Sequence, residues 1–595
     1  MGLVLVGFSV FQSKQAEKQR GQLQQQEFVQ EVPSSPSQAE SVQEEVNSNE
    51  HIYKDAFLDE RKSAEGQILK ISNELIELEV NTKGAQLWSA RLKNYSYYGG
   101  DDLYLFKAGA NHYDVSVYAG ELLKTSDFEF EVAELKDSLI VLRLPFEQGG
   151  YIEQSYALSG GSYLVNSELA FVNMNNIPRQ VSSIDVDFNT VIPRMEKGYK
   201  NESQYSKLNY YFSDDKKPVE MGKGRKDSKR IGSSLEWFSF QQQFFSMIVR
   251  APKQFSDGSL NVNFMGEDDP GHNLMACEAK MRVALDNGGN SRIPMEIYLG
   301  PNHYSTLKSF DHKYEKIIPL GGWLVGWFTK YFIIPMFNFL NKFIANYGII
   351  ILIMTLIIKI VVLPLTYKSY ASSAKMSALK PYIEEINKKY PKQDDALKKQ
   401  QATMDLYKRA GVNTLGGCLP TLLTFPILWA MFRFFPASIE LRQQRFLWAE
   451  DLSAYDSIVD FGFRIPLLGD HLSLFALLMA VVMFAYSKLT MSQQPNSDDP
   501  SAKSMQFMSV WMMPIMMFFI CNNLSSGLSY YYLISQLISM VEIFIIRKWC
   551  VKPEAVIAKV EASKGKPLPK SKWQKTLEEA QKMQEQQLKQ QQRRR

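Results

Sequence analysis

Cysteine and histidine are scarce in this chain of 595 residues, which has four of the first and six of the second. The cysteines lie far apart and form no Cys-x-x-Cys pair or Cys/His cluster, so the sequence predicts no metal site. A Walker A motif and a dinucleotide-binding fingerprint are also missing, and no nucleophile, base and orienting residue occur at a recognisable spacing. We therefore expect no enzyme, no catalytic residue, no cofactor and no nucleotide partner.

Charge is nearly absent from a hydrophobic run between residues 347 and 366, where the exception is Lys359. Crossing a bilayer takes about 20 apolar residues, so the run is long enough. An ionisable group inside such a helix costs roughly 2.5 kcal/mol or more, and it usually faces protein or water and serves a function. The alternative is a lysine that snorkels to the membrane surface. Lys368, the next charged residue, is however about 13 Å further along the helix. Thr355 shares the helical face of Lys359.

Segments of contrasting composition divide the N-terminal half. Residues 1–11 are apolar but amount to half a span, which favours a truncated first transmembrane helix over a cleavable signal peptide. Residues 12–54 are rich in Gln, Glu and Ser and predict a disordered tether. Residues 55–317 contain runs of period-two alternation separated by glycine-containing turns, which predict an antiparallel all-β sandwich. The runs are 67–72, 75–80, 128–132, 139–144, 163–171 and 293–299, and the Lys-rich stretch 216–230 is predicted to be an exposed loop.

The C-terminal half is predicted to be a membrane domain. An aromatic segment at 318–345 suits an amphipathic helix in the membrane interface better than a full span, because Pro335 and polar residues interrupt it. Residues 367–412 predict a two-helix hairpin broken near Tyr390, and residues 548–595 form a basic tail. The core, 346–547, is predicted to contain five spans at about 346–366, 415–436, 471–488, 505–522 and 525–546.

Local charge predicts the orientation of these spans. The segment 367–412 has ten basic and five acidic residues, whereas the loop 437–469 has three basic and five acidic residues. By the positive-inside rule the hairpin is cytoplasmic and the acidic loop external. The β-domain is then external and the tail cytoplasmic. The tail either binds anionic headgroups or ribosomal RNA, or it is a solvated topology signal.

Hydroxyl and amide side chains accumulate in the same spans as the buried lysine. Such groups commonly stabilise helix packing in lipid, and the alternative is that some line a wet cavity around the cation. A methionine-rich span offers an adaptable surface for varied apolar segments, although lipid-facing packing is the commoner role of any one methionine. The candidate groove residues are Lys359, Thr355, Thr424, Ser529, Tyr531, Tyr532 and Gln536, and the candidate slide residues are Met512, Met513, Met516 and Met517.

Several motifs carry a family resemblance. They are Lys359-Ile-Val-Val-Leu-Pro-Leu-Thr366, Leu415-Gly-Gly-Cys-Leu-Pro420 with Pro426, Ser438-Ile-Glu-Leu-Arg442, Asp451-Leu-Ser453, Ser526-Gly-Leu-Ser-Tyr-Tyr-Tyr532 and Tyr298-Leu-Gly-Pro301. With them the chain resembles the YidC family of bacterial inner-membrane protein insertases, in its Gram-negative type. The resemblance implies a polytopic α-helical membrane protein with a five-helix insertase core and an N-terminal span, truncated here. It also implies a large periplasmic all-β sandwich domain and a cytoplasmic helical hairpin.

The resemblance further implies a function. Members insert and fold newly made inner-membrane proteins, alone or with the Sec translocon, through a hydrophilic groove open to cytoplasm and lipid. Lys359 stands where most relatives carry arginine, so the charge carries over but the planar fork does not. Thr355 matches a groove-facing threonine, Tyr532 matches a substrate-contacting tyrosine, and at Thr424 relatives often have glutamine. Implied partners are nascent membrane proteins, membrane lipid, Sec translocon subunits and the ribosome, the last through the hairpin and basic tail.

Two other hypotheses compete with an insertase. A secondary transporter or channel would use Lys359 as an ion or proton site, but the spans show no inverted repeats and no acidic partner other than Glu542. In the third hypothesis the β-domain binds sugar or peptide and the membrane half is an anchor. Deleting residues 56–300 would then abolish function, whereas the insertase hypothesis predicts that function is largely retained.

Overall fold

The computed structural model describes residues 56–118, 122–147, 149–174, 182–285, 290–391, 395–412, 419–491 and 500–563, without the side chains of 56–57, 396–397, 419–424 and 500–502. The segments predicted as a truncated helix at 1–11 and a tether at 12–54 therefore lie outside the described residues. So do the end of the basic tail and the side chain of Thr424.

A short helix, Ala56–Ser63, precedes an antiparallel β-domain. Its strands form a four-stranded sheet ordered β1-β2-β3-β4, a nine-stranded sheet ordered β13-β12-β15-β16-β19-β10-β9-β8-β7 and a six-stranded sheet ordered β14-β17-β18-β11-β5-β6. A helix, Tyr199–Tyr205, interrupts the strands. The strands are β1 (Ile68–Ser72), β2 (Ile76–Asn81), β3 (Gln86–Ser96), β4 (Asp102–Phe106), β5 (Asn111–Tyr118), β6 (Leu122–Lys124), β7 (Glu131–Lys136), β8 (Leu139–Pro145), β9 (Tyr151–Leu158), β10 (Leu164–Val172), β11 (Ser183–Pro193), β12 (Lys207–Tyr211), β13 (Val219–Met221), β14 (Asp227–Ile231), β15 (Leu235–Gln241), β16 (Phe245–Phe255), β17 (Gly258–Phe264), β18 (Asn273–Ala284) and β19 (Ser291–Pro301).

Alternating burial along the strands builds the core between the two large sheets. In β9 every second residue is buried, as the pleat of a half-buried strand requires. Phe188 of β11 meets Phe238 of β15 with ring centroids 5.6 Å apart, so the inner faces of the six- and nine-stranded sheets interdigitate. Tyr113 of β5 also donates a hydrogen bond to Gln154 of β9 at 3.2 Å. The predicted antiparallel sandwich is confirmed.

Two details of the predicted β-domain were wrong. The run 128–132 was predicted as a strand, but β7 begins only at Glu131, and Phe130 instead donates its backbone N–H to Thr82. The alternation reflected two buried phenylalanine rings rather than a strand. The stretch 216–230, predicted as a loop, contains β13 and β14, which form edges of the two large sheets. Exposed lysines suit such edges because charge opposes pairing with another chain.

A segment of short helices connects the β-domain to the membrane half. Helical turns at Tyr304–Ser309 and Tyr314–Ile317 pack beneath the nine-stranded sheet, where Trp237 donates its indole N–H to the His312 carbonyl at 2.9 Å. The segment predicted as an interfacial helix follows, and it consists of Trp323–Phe328, a π-helical turn at Thr329–Ile333 and Ile334–Asn341. Its Trp323 side chain is 88% exposed, as an aromatic anchor at a membrane surface would be.

Five apolar helices form the membrane core. Core helix 1 is Tyr347–Ala378, core helix 2 is Leu419–Ala437 and core helix 3 is Leu474–Met491. Core helix 4 comprises Pro500–Phe507, a π-helical turn at Met508–Met512 and Met513–Cys521, and core helix 5 comprises Ser526–Ile545 and a π-helical turn at Ile546–Cys550. Within the described residues, four of the five are long and apolar enough to cross a membrane. Core helix 2 contributes a shorter apolar stretch with described side chains, Phe425–Ala437.

Three further helices pack together at the C-terminal end of core helix 1. They are Lys380–Lys389, Ala396–Ala410 and Pro553–Ala562. Leu379, Ile383, Val556 and Val560 are buried in their shared apolar cluster. The Tyr382 hydroxyl donates to Glu561 at 3.1 Å, and Arg409 donates to the Ser563 carbonyl. Pairing of the tail helix with the two preceding helices was not predicted.

Candidate functional site

Lys359 joins two core helices that are distant in sequence. Its side chain is half-buried on core helix 1, and its ammonium donates a hydrogen bond of 2.5 Å to the hydroxyl of Ser539 on core helix 5. Ser539 itself is buried. The lysine is therefore held inside the helix bundle by a specific polar partner rather than extended along the helix surface toward water.

A polar cluster surrounds this contact. Tyr370 of core helix 1 forms side-chain hydrogen bonds with Ser539 and with Tyr486 of core helix 3. Glu542 lies three residues after Ser539 on the same face of core helix 5, and its charge acts on Lys359. Lys359 and Tyr370 of core helix 1 thus both bond to one serine hydroxyl of core helix 5, and Tyr370 links this pair to core helix 3.

The other predicted groove residues are distributed more widely. Tyr532 is buried, and its ring centroid lies 5.5 Å from that of Tyr531 in the apolar core of the bundle. Gln536 is half-buried, and its spacing from Tyr532 and Ser539 places all three on one face of core helix 5. The predicted groove face of this helix is therefore continuous from Tyr532 to the lysine contact.

Two other predicted groove residues, Thr355 and Ser529, are buried. The buried Thr355 hydroxyl donates to the Ile351 carbonyl of its own helix at 2.7 Å. Such a bond satisfies a hydroxyl within lipid without any neighbouring helix. Ser529 is fully buried, and its hydroxyl has no hydrogen-bond partner among the described residues.

The methionines of core helix 4 form an outward-facing surface. The side chains of Met512, Met513 and Met516 are exposed, while Met517 is half-buried and packs against the apolar core of the bundle. These residues thus offer a flexible, apolar face next to the helix bundle.

The loop between core helices 2 and 3 covers the bundle on the side of the β-domain. It contains a two-stranded ribbon, β20 (Val459–Ile465) and β21 (Gly469–Leu472). Asp456 accepts backbone N–H bonds from Leu474 and Phe475 at 2.9 and 3.0 Å and thereby caps core helix 3. Asn522, at the end of core helix 4, donates to the carbonyls of Leu468 and His471 at 2.9 and 3.0 Å. This closed network was not predicted, although the Asp451-Leu-Ser453 motif lies within the loop.

A buried ion pair joins the same loop to the β-domain. Arg442 donates from Nε to Glu196 at 2.7 Å and from its guanidinium to the Ser96 carbonyl at 2.7 Å. The two side chains are only 2% and 8% exposed. Burial raises the pKa of Glu196 to about 7, against the opposing effect of the Arg442 charge. Gln443 adds bonds to the carbonyls of Ser96 and Tyr97.

A β-sandwich docked on a bundle of apolar helices, with a half-buried cation between two of them, defines a multi-pass helical membrane protein with a large domain outside the membrane. The sequence model of the family described as 60Kd inner membrane protein matches residues 339–553. The one described as YidC periplasmic domain matches residues 68–335. The chain belongs to the YidC family of membrane protein insertases.

Similar proteins carry the same description. The membrane protein insertase YidC of Parabacteroides distasonis is 39% identical over 539 residues, 88% of this chain and 84% of that protein. The one of Bacteroides fragilis is 37% identical over 605 residues, 98% of this chain and 96% of that protein. A crystal structure of active YidC insertase with the first transmembrane domain resolved is 18% identical, with a TM-score of 0.32, over 80% of this chain and 93% of that chain.

Family membership settles the class of function. The protein is a membrane protein insertase and not an enzyme, so the predicted family, fold class and function are confirmed. It is a multi-pass inner-membrane protein with a periplasmic domain, and its partners are nascent membrane proteins and lipid. The transporter or channel hypothesis is not favoured by these relatives.

Proposed function

We propose that insertion proceeds through a groove between core helices 1 and 5, centred on Lys359. The acidic external segment of an incoming chain rests near the ammonium, while its apolar helix passes over Met512, Met513 and Met516 into lipid. The observation that carries the proposal is the hydrogen bond of 2.5 Å that holds the Lys359 ammonium on Ser539 inside the bundle. A lysine kept there, rather than at the membrane surface, presents its charge where a substrate must pass.

Physical chemistry explains why such a groove accelerates insertion. A polar segment crosses a hydrocarbon layer of about 30 Å only at high cost, because lipid satisfies no hydrogen bonds. Polar side chains and water partway across shorten the dry path. Tyr532, Gln536 and Thr355 supply further groove contacts in this proposal, together with Tyr531 and Ser529 of core helix 5. Thr424 of core helix 2 is included on the predicted resemblance alone. Burial of the substrate's own apolar helix supplies the free energy, so no nucleotide is needed.

We further propose how the chain divides and where its partners bind. Residues 55–317 form the periplasmic domain, 318–345 the interfacial helix, 346–547 the insertase core and 548–595 the basic tail. The hairpin at 367–412 and the tail are cytoplasmic by the excess of basic residues, and they bind the ribosome and Sec translocon subunits. Packing of the helix Pro553–Ala562 on the hairpin helices supports a joint docking unit. Release of substrate beside this unit would let the protein act as a folding chaperone.

Substitution of Lys359 tests the groove. We expect Lys359→Ala and Lys359→Glu to lower protease-protected insertion of a single-span substrate with an acidic external segment by about tenfold, the equivalent of about 1.4 kcal/mol of lost attraction. Lys359→Arg should retain most of the activity because it keeps the charge. The measurement uses the purified full-length protein in proteoliposomes. Lys342→Ala removes a lysine from the end of the interfacial helix and serves as the matched control.

The outcomes separate charge from structure. Normal insertion by both Lys359→Ala and Lys359→Glu would rule out the electrostatic step. If Lys359→Arg and Lys359→Ala lose insertion activity equally and their thermal unfolding is unchanged, insertion depends on the shape of the lysine side chain and not on its charge.

A further inference from the structure

The cation of the proposed groove has a carboxylate near it within the same bundle. Lys359 donates to Ser539, and Glu542 follows one helical turn later on core helix 5. The charges of Lys359 and Glu542 act on each other. The ammonium bonds to the serine hydroxyl rather than to the carboxylate, so the two charges attract through space.

Glu542 is incompletely satisfied. Its Oε2 atom is buried and accepts no hydrogen bond from the described residues. Burying a carboxylate oxygen without a hydrogen-bond donor costs desolvation free energy. A nearby opposite charge offsets part of that free energy. Attraction between opposite charges strengthens where the surroundings exclude water. Lys359 therefore stabilises Glu542 electrostatically without closing a direct bond that a substrate would have to break.

We propose that Glu542 is the resident counter-ion of Lys359 and sets how much negative charge a substrate's external segment must carry to enter the groove. This inference rests on the proposed role of Lys359 in insertion. In the resting protein the charge of Glu542 partly neutralises the ammonium, so a neutral segment gains little by approaching. A segment with one or more carboxylates competes with Glu542 for the ammonium and is favoured in proportion to its charge.

The two single substitutions then have opposite consequences. Glu542→Gln preserves the size of the side chain and leaves Lys359 as an uncompensated cation, which strengthens its attraction for acidic segments. Lys359→Gln leaves Glu542 as an uncompensated anion, which repels them. The double variant removes both charges and should therefore be less impaired than Lys359→Gln alone, a reversal that damaged packing would not produce.

The experiment uses full-length protein in proteoliposomes and single-span substrates that differ only in having zero, one, two or three aspartates in the external segment. The readout is the rate of protease-protected insertion. We expect Glu542→Gln to raise insertion of the one-aspartate substrate on the order of fivefold and to shift the whole dependence toward fewer aspartates. Glu60→Gln, which removes an exposed carboxylate from the first described helix, should leave the dependence unchanged.

Each outcome bears on one claim. If Lys359→Gln is impaired but Glu542→Gln and Glu60→Gln both match the parent at every aspartate count, Glu542 is not a counter-ion and the groove proposal stands. If Lys359→Gln inserts all four substrates normally, the groove proposal fails and this inference fails with it. Failure of Glu542→Gln to relieve Lys359→Gln in the double variant also overturns the inference. Unfolding temperatures of the four variants, measured in parallel with that of the parent, identify a variant that has lost its structure.

Discussion

At the scale of the residue, Glu202 is the most deeply buried carboxylate among the described residues of the β-domain. It is fully buried, accepts the Met195 backbone N–H at 2.7 Å and leaves its Oε2 atom without a partner among the described residues. Burial raises the pKa of Glu202 to about 8, with a further increase from the nearby charge of Glu196. The folded protein therefore holds a proton at this position that the unfolded chain releases at its ordinary pKa of 4.5.

Glu202 makes stability depend on pH in a defined direction. Because the folded state binds the extra proton between about pH 4.5 and about pH 8, stability is highest at the acidic end and falls as pH rises through that window. We expect Glu202→Gln to flatten this dependence and to stabilise the protein at pH 8 on the order of 2 kcal/mol. Thermal unfolding of the full-length protein between pH 5 and pH 8 measures this pH dependence of stability. Glu278→Gln, which removes an exposed carboxylate, is the control. A slope as steep as the parent's in Glu202→Gln would contradict the assignment.

Lys359 shows what the sequence reveals about single residues. A charge inside an apolar run can be recognised without a structure, because Lys359 is the one charged residue between positions 347 and 366. Its partner Ser539 and the neighbouring Tyr486, which bonds to Tyr370, were not predicted, since a serine or tyrosine in a membrane helix has many ordinary roles and only the packing of three helices selects these two. Arg442 also appeared only as part of a motif, because a buried partner 246 positions earlier leaves no local trace.

At the scale of the element, the start of core helix 5 packs against the loop that covers the bundle. The Gly527 N–H donates to the Leu452 carbonyl at 2.9 Å, and Ser526 donates its hydroxyl to the Asp451 carbonyl at 2.7 Å. A Cβ atom added at Gly527 would lie 2.9 Å from that same Leu452 oxygen. The closest neighbour is a backbone oxygen, which moves aside less easily than the end of a flexible side chain, so glycine is required here by close approach rather than by its φ angle.

Gly527→Ala should therefore destabilise the protein although alanine favours helices. We expect a loss of about 1–3 kcal/mol from overpacking, larger than the gain of about 1 kcal/mol in helix propensity. Gly232→Ala is the control, because a Cβ atom there meets nothing within 4 Å. Thermal unfolding of both variants decides the matter. A Gly527→Ala protein as stable as the Gly232→Ala protein would show that the loop moves aside freely.

The elements themselves were predicted better than their pairings. Hydrophobic length located the core helices, and five of the six runs with period-two alternation are strands, because those patterns follow directly from lipid and sheet geometry. The helix Pro553–Ala562 was missed within a segment that its charge made look uniformly solvated. Its buried Val556 and Val560 become meaningful only when the hairpin helices supply the opposing surface.

At the scale of the whole molecule, the β-domain and the covering loop are joined by two Arg–Glu pairs of contrasting burial. Arg442 and Glu196 are almost completely buried, whereas Arg464, paired with Glu267 at 2.9 Å, is 54% exposed. The loop in turn accepts backbone N–H bonds from the first residues of core helices 3 and 5 on the side of the β-domain. The periplasmic domain is thus attached to the loop that covers the core helices, and the buried pair is a part of this attachment that water does not screen.

Removing one member of each pair tests this attachment. We expect Arg442→Ala to destabilise the full-length protein by about 3–5 kcal/mol, because it leaves Glu196 buried without its partner and removes one of the two side-chain hydrogen bonds that the Ser96 carbonyl accepts. Arg464→Ala, the matched control across the same interface, should cost at most about 1 kcal/mol because water screens the exposed pair. Thermal unfolding of each variant measures its loss of stability. Limited proteolysis of the loop 438–473 measures how far the loop has detached from the β-domain.

The double variant Arg442→Ala with Glu196→Gln separates charge from contact. Glutamine removes the stranded carboxylate, so the double variant should regain part of the stability lost by Arg442→Ala, and regain more at pH 8 than at pH 5. The difference follows from burial, which raises the pKa of Glu196 to about 7 even with the lowering effect of the Arg442 charge and raises that pKa further once Arg442 is removed. At pH 5 the stranded carboxyl is therefore protonated and carries no charge that needs a partner, whereas the cost of burying it grows as pH rises. Equal stabilities of the single and double variants at pH 8 would mean that Arg442 acts through the Ser96 carbonyl and the Phe245 ring, 5.1 Å from its guanidinium, and not through its charge.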